Sequence, residues 1–388
     1  MVRADAADRH PSAVPPRLGD RDTTVTTTTI GGPGGPDTAT PPPAGPVPPA
    51  DDPGGDGPGP RRIVQRRGPS DLVFRGVARA GGAAVLAIMA LVGLFLALQA
   101  WPAVEMAGWR FLTVQDWDPA GNNFGVAGVL AGTVLIALVA IAISVPLATG
   151  TALYISEYAP RRVRPLLVNL VDLMAAVPSV VYGIWGFFLL QPQLLVAGDQ
   201  GEGLPRWLAT YLGWIPVFKV DGYDPRDPVA SPTALTSSTF IAGVVVAMMV
   251  APIITSVMRE VFSQAPVGER EGAYALGATR WGMIRSVVLP FGRGGMIGGT
   301  MLGLGRALGE TIAVFLIVSM VFVVQPHILQ NGAGSISALI ALRYGDSTAL
   351  GIAALMAAGL VLFLMTLVVN FVASMVIARS RSGAASEV

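Results

Sequence analysis

The chain has 388 residues, 52% of them hydrophobic and 13% charged, with a formal net charge of +1 and a mean hydropathy of +0.59. Soluble domains carry about 25% charged residues, so a composition this apolar indicates a membrane protein whose first partner is the lipid bilayer. There is no cysteine, which excludes disulfides, thiolate metal sites and thiol catalysis. The two histidines, His10 and His327, stand far apart in sequence, so no histidine metal centre is expected. Lys219 is the only lysine and arginine supplies the remaining positive charge; no nucleic-acid partner is expected.

Residues 1 to about 70 are expected to form a disordered cytoplasmic tail. They are rich in Pro, Gly, Thr and Asp, with TVTTTTI, PPPAGPVPPA and DDPGGDGPGP in succession. Such a composition buries too little apolar surface to offset the entropy of ordering. No apolar core follows a short basic start, so the segment reads as a tail rather than a signal peptide.

The remainder, 71–388, reads as one transmembrane domain. Six apolar runs approach the roughly 20 residues that cross the hydrocarbon. They lie at about 78–100, 126–154, 166–190, 238–258, 295–324 and 349–377. Lipid cannot satisfy backbone polar groups, so each run is predicted to be a helix. Pro146, Pro178 and Pro252 fall inside three of them and are tolerable where a neighbour or water meets the freed carbonyl. The fold class expected is therefore an all-α integral membrane bundle of six transmembrane helices behind a disordered tail.

Arginine near the span ends sets the orientation. The N-terminal flank carries Arg61, Arg62, Arg66, Arg67 and Arg75, and alternate loops carry Arg161, Arg162 and Arg164, then Arg259, Arg270, Arg280, Arg285 and Arg293. Arg379 and Arg381 follow the last run. The other loops are poorer: Arg110; Arg206, Lys219 and Arg226; Arg343. This alternation predicts both termini in the cytoplasm of a multi-pass plasma-membrane protein. In the long outer loop 191–237, Trp207, Tyr211 and Trp214 suit the headgroup level.

The loop 259–294 contains EREGAYALGATRWGMIRSVVLP at 269–290. Helix formers precede a break at Gly277. An apolar pattern then resumes at Trp281, Ile284, Val287 and Val288, and Pro290 is expected to end it. Two short amphipathic helices on the cytoplasmic side would expose an apolar stripe that something must cover. A phosphate-binding P-loop needs GxxxxGK followed by Ser or Thr. Lys219 follows Phe218 in an outer loop, so this chain has no P-loop.

The fifth run holds Arg306 and Glu310, whose spacing places them on one face of a continuous helix. Gly295, Gly299 and Gly303 recur at four-residue intervals beside them, a face that lets helix backbones approach closely. Each charge costs about 2.5–3.5 kcal/mol near the bilayer centre, so such residues face a partner or an aqueous path. An arginine fork suits two oxygens of an oxyanion, and Glu310 would hold it partly neutralised until a tetrahedral anion competes. A structural salt bridge is the alternative reading of this pair. Asp172 in the third run fits either a path or a packing role. Ser179 and Tyr182, just after Pro178, fit either a broken helix that exposes backbone to an anion or ordinary packing.

The segment 269–290 resembles the coupling loop of ABC-importer permeases. Glu271, Gly272, Ala273, Gly277, Val287, Leu289 and Pro290 keep its spacing, with Gly272 in place of an alanine and Val287 in place of an isoleucine. GLGRALGETIAV at 303–314, AAVPSVVYGIWG at 175–186 and ALYISEYAP at 152–160 further resemble the PstC family of phosphate-importer permeases. That resemblance implies the type I ABC importer permease fold and half of a translocation pore. It implies a PstA-like second permease, a PstB-like ATPase dimer that uses ATP and Mg, and a PstS-like phosphate-binding protein, with no cofactor held by this chain and no catalysis by it. It implies docking of the ATPase on Glu271, Gly272, Ala273, Gly277, Leu289 and Pro290. Arg306 and Glu310 match the family's charged pair on the anion path. A PstA-like sister subunit or a permease for sulfate or molybdate is the nearest alternative. A proton- or sodium-coupled transporter would carry more intramembrane carboxylates and an inverted repeat, and a membrane scaffold would not need charges in a span.

Overall fold

The computed structural model describes residues 68–195, 203–227 and 230–381. Apart from its last three residues, the expected tail lies outside the described residues. The first helix, α1 (Pro69–Ala107), takes in residues 69 and 70, two positions before the expected domain boundary. Pro69 in the first turn is preorganised for a helix start, and Asp71 beside it complements the helix dipole. Most of its apolar side chains, Leu86, Leu91 and Leu98 among them, point outward from the isolated chain, as a lipid-facing or subunit-facing helix requires. Its inner edge packs on the last helix, α12 (Ala349–Arg381).

A short antiparallel hairpin follows, β1 (Trp117–Asp118) against β2 (Asn123–Phe124), with Asn122 in the left-handed region at φ 59°. The long helices α2 (Ala127–Leu153) and α6 (Thr239–Ser263) form the central pair. Ile136, Ile241, Ile254, Met258 and Phe262 are fully buried there. Both helices run through their prolines, Pro146 and Pro252, without ending. Against α6 lies α9 (Leu289–Leu308). Its Gly295 and Gly303 stand where an added Cβ would strike Val261 and Ile254, and Gly299 sits over Val257. The small face read from the sequence thus seats α9 on α6 of the same chain.

Three expectations need correction. The run 166–190 is not one continuous span. It folds as α3 (Arg164–Ala176) and α4 (Ser179–Trp185), the latter extended by a π-helical segment to Leu195, with an 89° bend between them. Pro178 and the extended residue Val177 cause the bend, since the residue before a proline is driven out of the helical region. The run 295–324 also fails to form one helix. α9 stops at Leu308, α10 (Ile312–Ile317) follows a three-residue break, and 318–324 is not helical. Finally, Pro290 does not end a helix. It directly follows the π-helical turn Ile284–Val288 and is passed without interruption, so that a single 29-residue apolar helix runs from Arg280 to Leu308. Among the described residues, five helices are long and apolar enough to cross a membrane, or six if the bent pair is one span.

Between α4 and α6, α5 (Leu204–Leu212) exposes Trp207 and Tyr211, and Trp214 beyond it is exposed as well. Burial pushes the Tyr223 phenol above its ordinary value, Arg206 draws it down, and Asp224 adds to the rise. The last short helix, α11 (Ile336–Arg343), is tied to α2 by Thr133: its buried hydroxyl accepts from the Ile336 N–H at 3.0 Å and donates to the Val129 carbonyl.

Gly128 and Gly132 of α2 face the backbone carbonyls of Phe322 and Gly334, so closely that a Cβ on either would collide with them. Gly150 on the same helix has open space around it. Gly128→Ala and Gly132→Ala should each lower stability by about 1–3 kcal/mol. Gly150→Ala should be neutral or stabilising, because alanine favours a helix by about 1 kcal/mol. Thermal unfolding of the detergent-solubilised protein reads both.

Candidate functional site

Arg306 lies in the last turn of α9 and Glu310 in the break before α10. They do not share one helical face as expected, because the helix stops between them. The dipole logic of the two helix ends explains the arrangement. A cation is favoured where the carbonyls of α9 end, and a carboxylate where the N–H groups of α10 begin. Glu310 is only 7% exposed. Its Oε1 accepts from the Ala313 N–H at 3.1 Å, and its backbone carbonyl accepts from the Ser337 hydroxyl at 2.7 Å. The carboxylate therefore caps α10. The Arg306 side chain is exposed, and among the described residues no carboxylate lies within ion-pair distance of it.

Arg306 separates two cavities. One, of 440 Å³, is lined by Ser179, Arg306, Glu310 and Thr311. The other, of 480 Å³, places Arg306 opposite Thr366 and Asn370 of α12. Of the residues picked out from the sequence, the structure thus brings Ser179, Arg306 and Glu310 together. Tyr182 and Asp172 line neither cavity. The Tyr182 hydroxyl donates to the Met174 carbonyl at 2.9 Å, closing the bend between α3 and α4. Asp172 accepts from the Ser256 hydroxyl at 2.9 Å and joins α3 to α6. Thr366 and Asn370 escaped the sequence reading because an uncharged polar residue in an apolar run carries no signal until the fold shows what it faces.

At one end of the bundle, α7 (Val267–Ala275) and α8 (Arg280–Met283) flank a turn in which Gly277 has φ 81°. Thr279 caps α8, accepting from the Gly282 N–H at 3.1 Å. A π-helical turn, Ile284–Val288, joins α8 to α9. Glu271, Gly272, Gly277 and Pro290 are exposed, while Ala273 and Leu289 are half-buried against the core. The apolar stripe expected here divides. Ile284 and Val288 are buried in the bundle, whereas Trp281 stays exposed, together with Val267, Tyr274 and Leu276, the last at 91%.

The segment is clamped from within by Arg270. Its Nη1 pairs with Glu157 Oε2 at 3.0 Å and its Nη2 donates to the Phe262 carbonyl at 2.6 Å. Arg280 lies over the Tyr158 ring, 5.1 Å from its centre. Glu157 and Tyr158 belong to the π-helical turn Tyr154–Tyr158 that closes α2. The sequence reading used Arg270 and Arg280 only for orientation, since a pair 113 residues apart has no local signature.

Apolar helices of membrane-crossing length, a broken helix with an unpaired arginine, and a clamped surface segment define a multi-pass membrane transport component. The chain belongs to the family of binding-protein-dependent transport system inner membrane components, whose sequence model matches residues 144–382. It is similar to "Phosphate transport system permease protein PstC 2" of Mycobacterium tuberculosis, 37% identical over 309 residues, which cover 79% of this chain and 90% of that one. It is similar also to the phosphate transport system permease protein PstC of Pasteurella multocida, 35% identical over 309 residues, covering 80% and 92%. Among solved structures, a bacterial ABC transporter for alginate import aligns at 16% identity with a TM-score of 0.47, covering 79% of this chain and 98% of that one. The MetNI methionine transporter aligns at 14% with a TM-score of 0.44, covering 66% and 95%.

Glu310→Ala removes the acceptor at the start of α10 and should cost about 1 kcal/mol. Glu310→Gln keeps an oxygen there and should retain most of that stability; thermal unfolding separates the two. Gly277→Ala forces a side chain into the left-handed region at a cost of about 1–2 kcal/mol, and should show as faster amide exchange across α7 and α8.

Proposed function

We propose that this chain forms half of the pore of an ATP-driven importer and carries inorganic phosphate past Arg306. The observation that carries the reading is the unpaired guanidinium at the α9–α10 break, with a cavity on either side. An arginine within an apolar span is costly unless it serves a path, and its planar fork matches two oxygens of a tetrahedral oxyanion. Glu310, held 7% exposed by its own cap, keeps negative charge near the site, so an arriving anion is bound weakly enough to leave. Ser179 on the facing half-helix adds a hydroxyl. The phosphate-transport names of the relatives support phosphate over other oxyanions.

The partners follow from the same reading. A PstA-like permease completes the pore, a PstS-like protein delivers phosphate from outside, and a PstB-like ATPase dimer uses ATP and Mg. The ATPase docks on the cytoplasmic segment around Glu271, Gly272, Ala273, Gly277, Leu289 and Pro290, with both chain termini on that side. The exposed Tyr274, Leu276 and Trp281 give this surface apolar area for a partner to cover. Nucleotide-driven closure of the ATPase dimer moves the docked segment as a body, and the permease alternates between outward and inward openings.

In the reconstituted complex, Arg306→Ala should lower phosphate uptake by about tenfold or more, as expected from losing at least one charge-assisted hydrogen bond of about 1.5–3 kcal/mol. Subunit co-purification should be unchanged. Unaltered uptake in an intact complex would sink the anion-path role. Competition with sulfate, molybdate and arsenate identifies the oxyanion: effective competition by sulfate would count against phosphate.

A further inference from the structure

We propose that the Arg270–Glu157 pair is the joint through which movement of the docking segment reaches the transmembrane bundle, and that its hydrogen bonding changes between transport states. The inference rests on the docking reading above. A single guanidinium holds three elements: α7, which carries it; the end of α6, through the Phe262 carbonyl; and the π-helical turn closing α2, through Glu157. Arg280 on the Tyr158 ring gives α8 a second hold on the same turn. A displacement of α7 and α8 is therefore delivered to α2 and α6, the central pair of the fold, as well as to α9, with which α8 is continuous.

The pair is also incompletely made. The Glu157 side chain is 4% exposed and that of Arg270 20%. Only one nitrogen meets one oxygen, while Glu157 Oε1 and Arg270 Nε are both buried without a hydrogen-bond partner. Guanidinium and carboxylate favour two parallel bonds, and a half-satisfied buried pair is costly. A rotation of α7 that turns the Nε–Nη2 edge of the guanidinium onto the carboxylate would replace the single Nη1 bond by a two-bond fork and release the Phe262 carbonyl. Two discrete pairings of one ion pair are what a bistable joint requires. A π-helical turn, with its irregular hydrogen bonding, is a suitable place for such a change. Glu157 is thus a positioning residue. It touches neither the anion nor the exposed docking face.

The test uses the whole complex in vesicles, measuring radiolabelled inorganic phosphate uptake, ADP production and retained ATPase together. Glu157→Gln keeps the side-chain volume and removes the charge. The ATPase should stay bound and hydrolyse ATP, while phosphate carried per ATP falls by about tenfold, equivalent to about 1.4 kcal/mol of coupling. Glu157→Asp should recover part of the ratio. A normal transport ratio in Glu157→Gln overturns the proposal. Loss of ATPase binding in Glu157→Gln overturns it as well, because Glu157 would then belong to the docking contact itself. Failure of the docking reading looks different: an ATPase that binds and couples normally to a Leu276→Asp complex.

Discussion

A bilayer supplies no hydrogen-bond partner to a backbone N–H or carbonyl, and the shape of this bundle follows from how the chain meets that demand wherever a helix is interrupted. At the bend between α3 and α4, the Met174 carbonyl is met by the Tyr182 hydroxyl. At the break between α9 and α10, the Ala313 N–H is met by the Glu310 carboxylate, and the Glu310 carbonyl by Ser337. At the start of α11, the Ile336 N–H is met by Thr133. Each interruption is allowed because one side chain replaces a lost helical bond.

The same constraint gives Arg306 and Glu310 different tasks. A continuous helix would have set Arg306 and Glu310 one turn apart, free to neutralise each other. The break commits the carboxylate to capping α10 and leaves the guanidinium facing open volume. A charged residue with its hydrogen bonds consumed by the backbone is structural, whereas one beside it with none consumed remains available to a ligand. The glycines of α9 support this indirectly. By seating α9 closely on α6 they fix the helix end from which Arg306 projects.

Remote from Arg306, the Arg270 guanidinium ties α7 to the ends of α2 and α6. The exposed side chains Tyr274, Leu276 and Trp281 offer a surface to a partner, while buried Ile284 and Val288 root the same stretch in the core. Because Arg280–Leu308 is one helix, it runs unbroken from the exposed Trp281 to the turn that carries Arg306.

The amino-acid sequence alone determined the membrane character, the positions of four of the six apolar runs as long helices, the turn at Gly277 and the presence of Arg306 in an apolar helix. These are written in local composition and periodicity, which hydropathy and helix chemistry read directly. It also carried the resemblance to importer permeases, through short stretches such as GLGRALGETIAV. Tertiary structure decided where the fifth run breaks, that Pro290 lies within a helix instead of ending one, and that the Tyr182 hydroxyl meets the Met174 carbonyl and Asp172 the Ser256 hydroxyl. It also decided that Arg270 meets Glu157 and that Asn370 faces Arg306. Those outcomes depend on partners far away in the chain, because a side chain's role in an apolar bundle is set by which unsatisfied group the fold brings within reach.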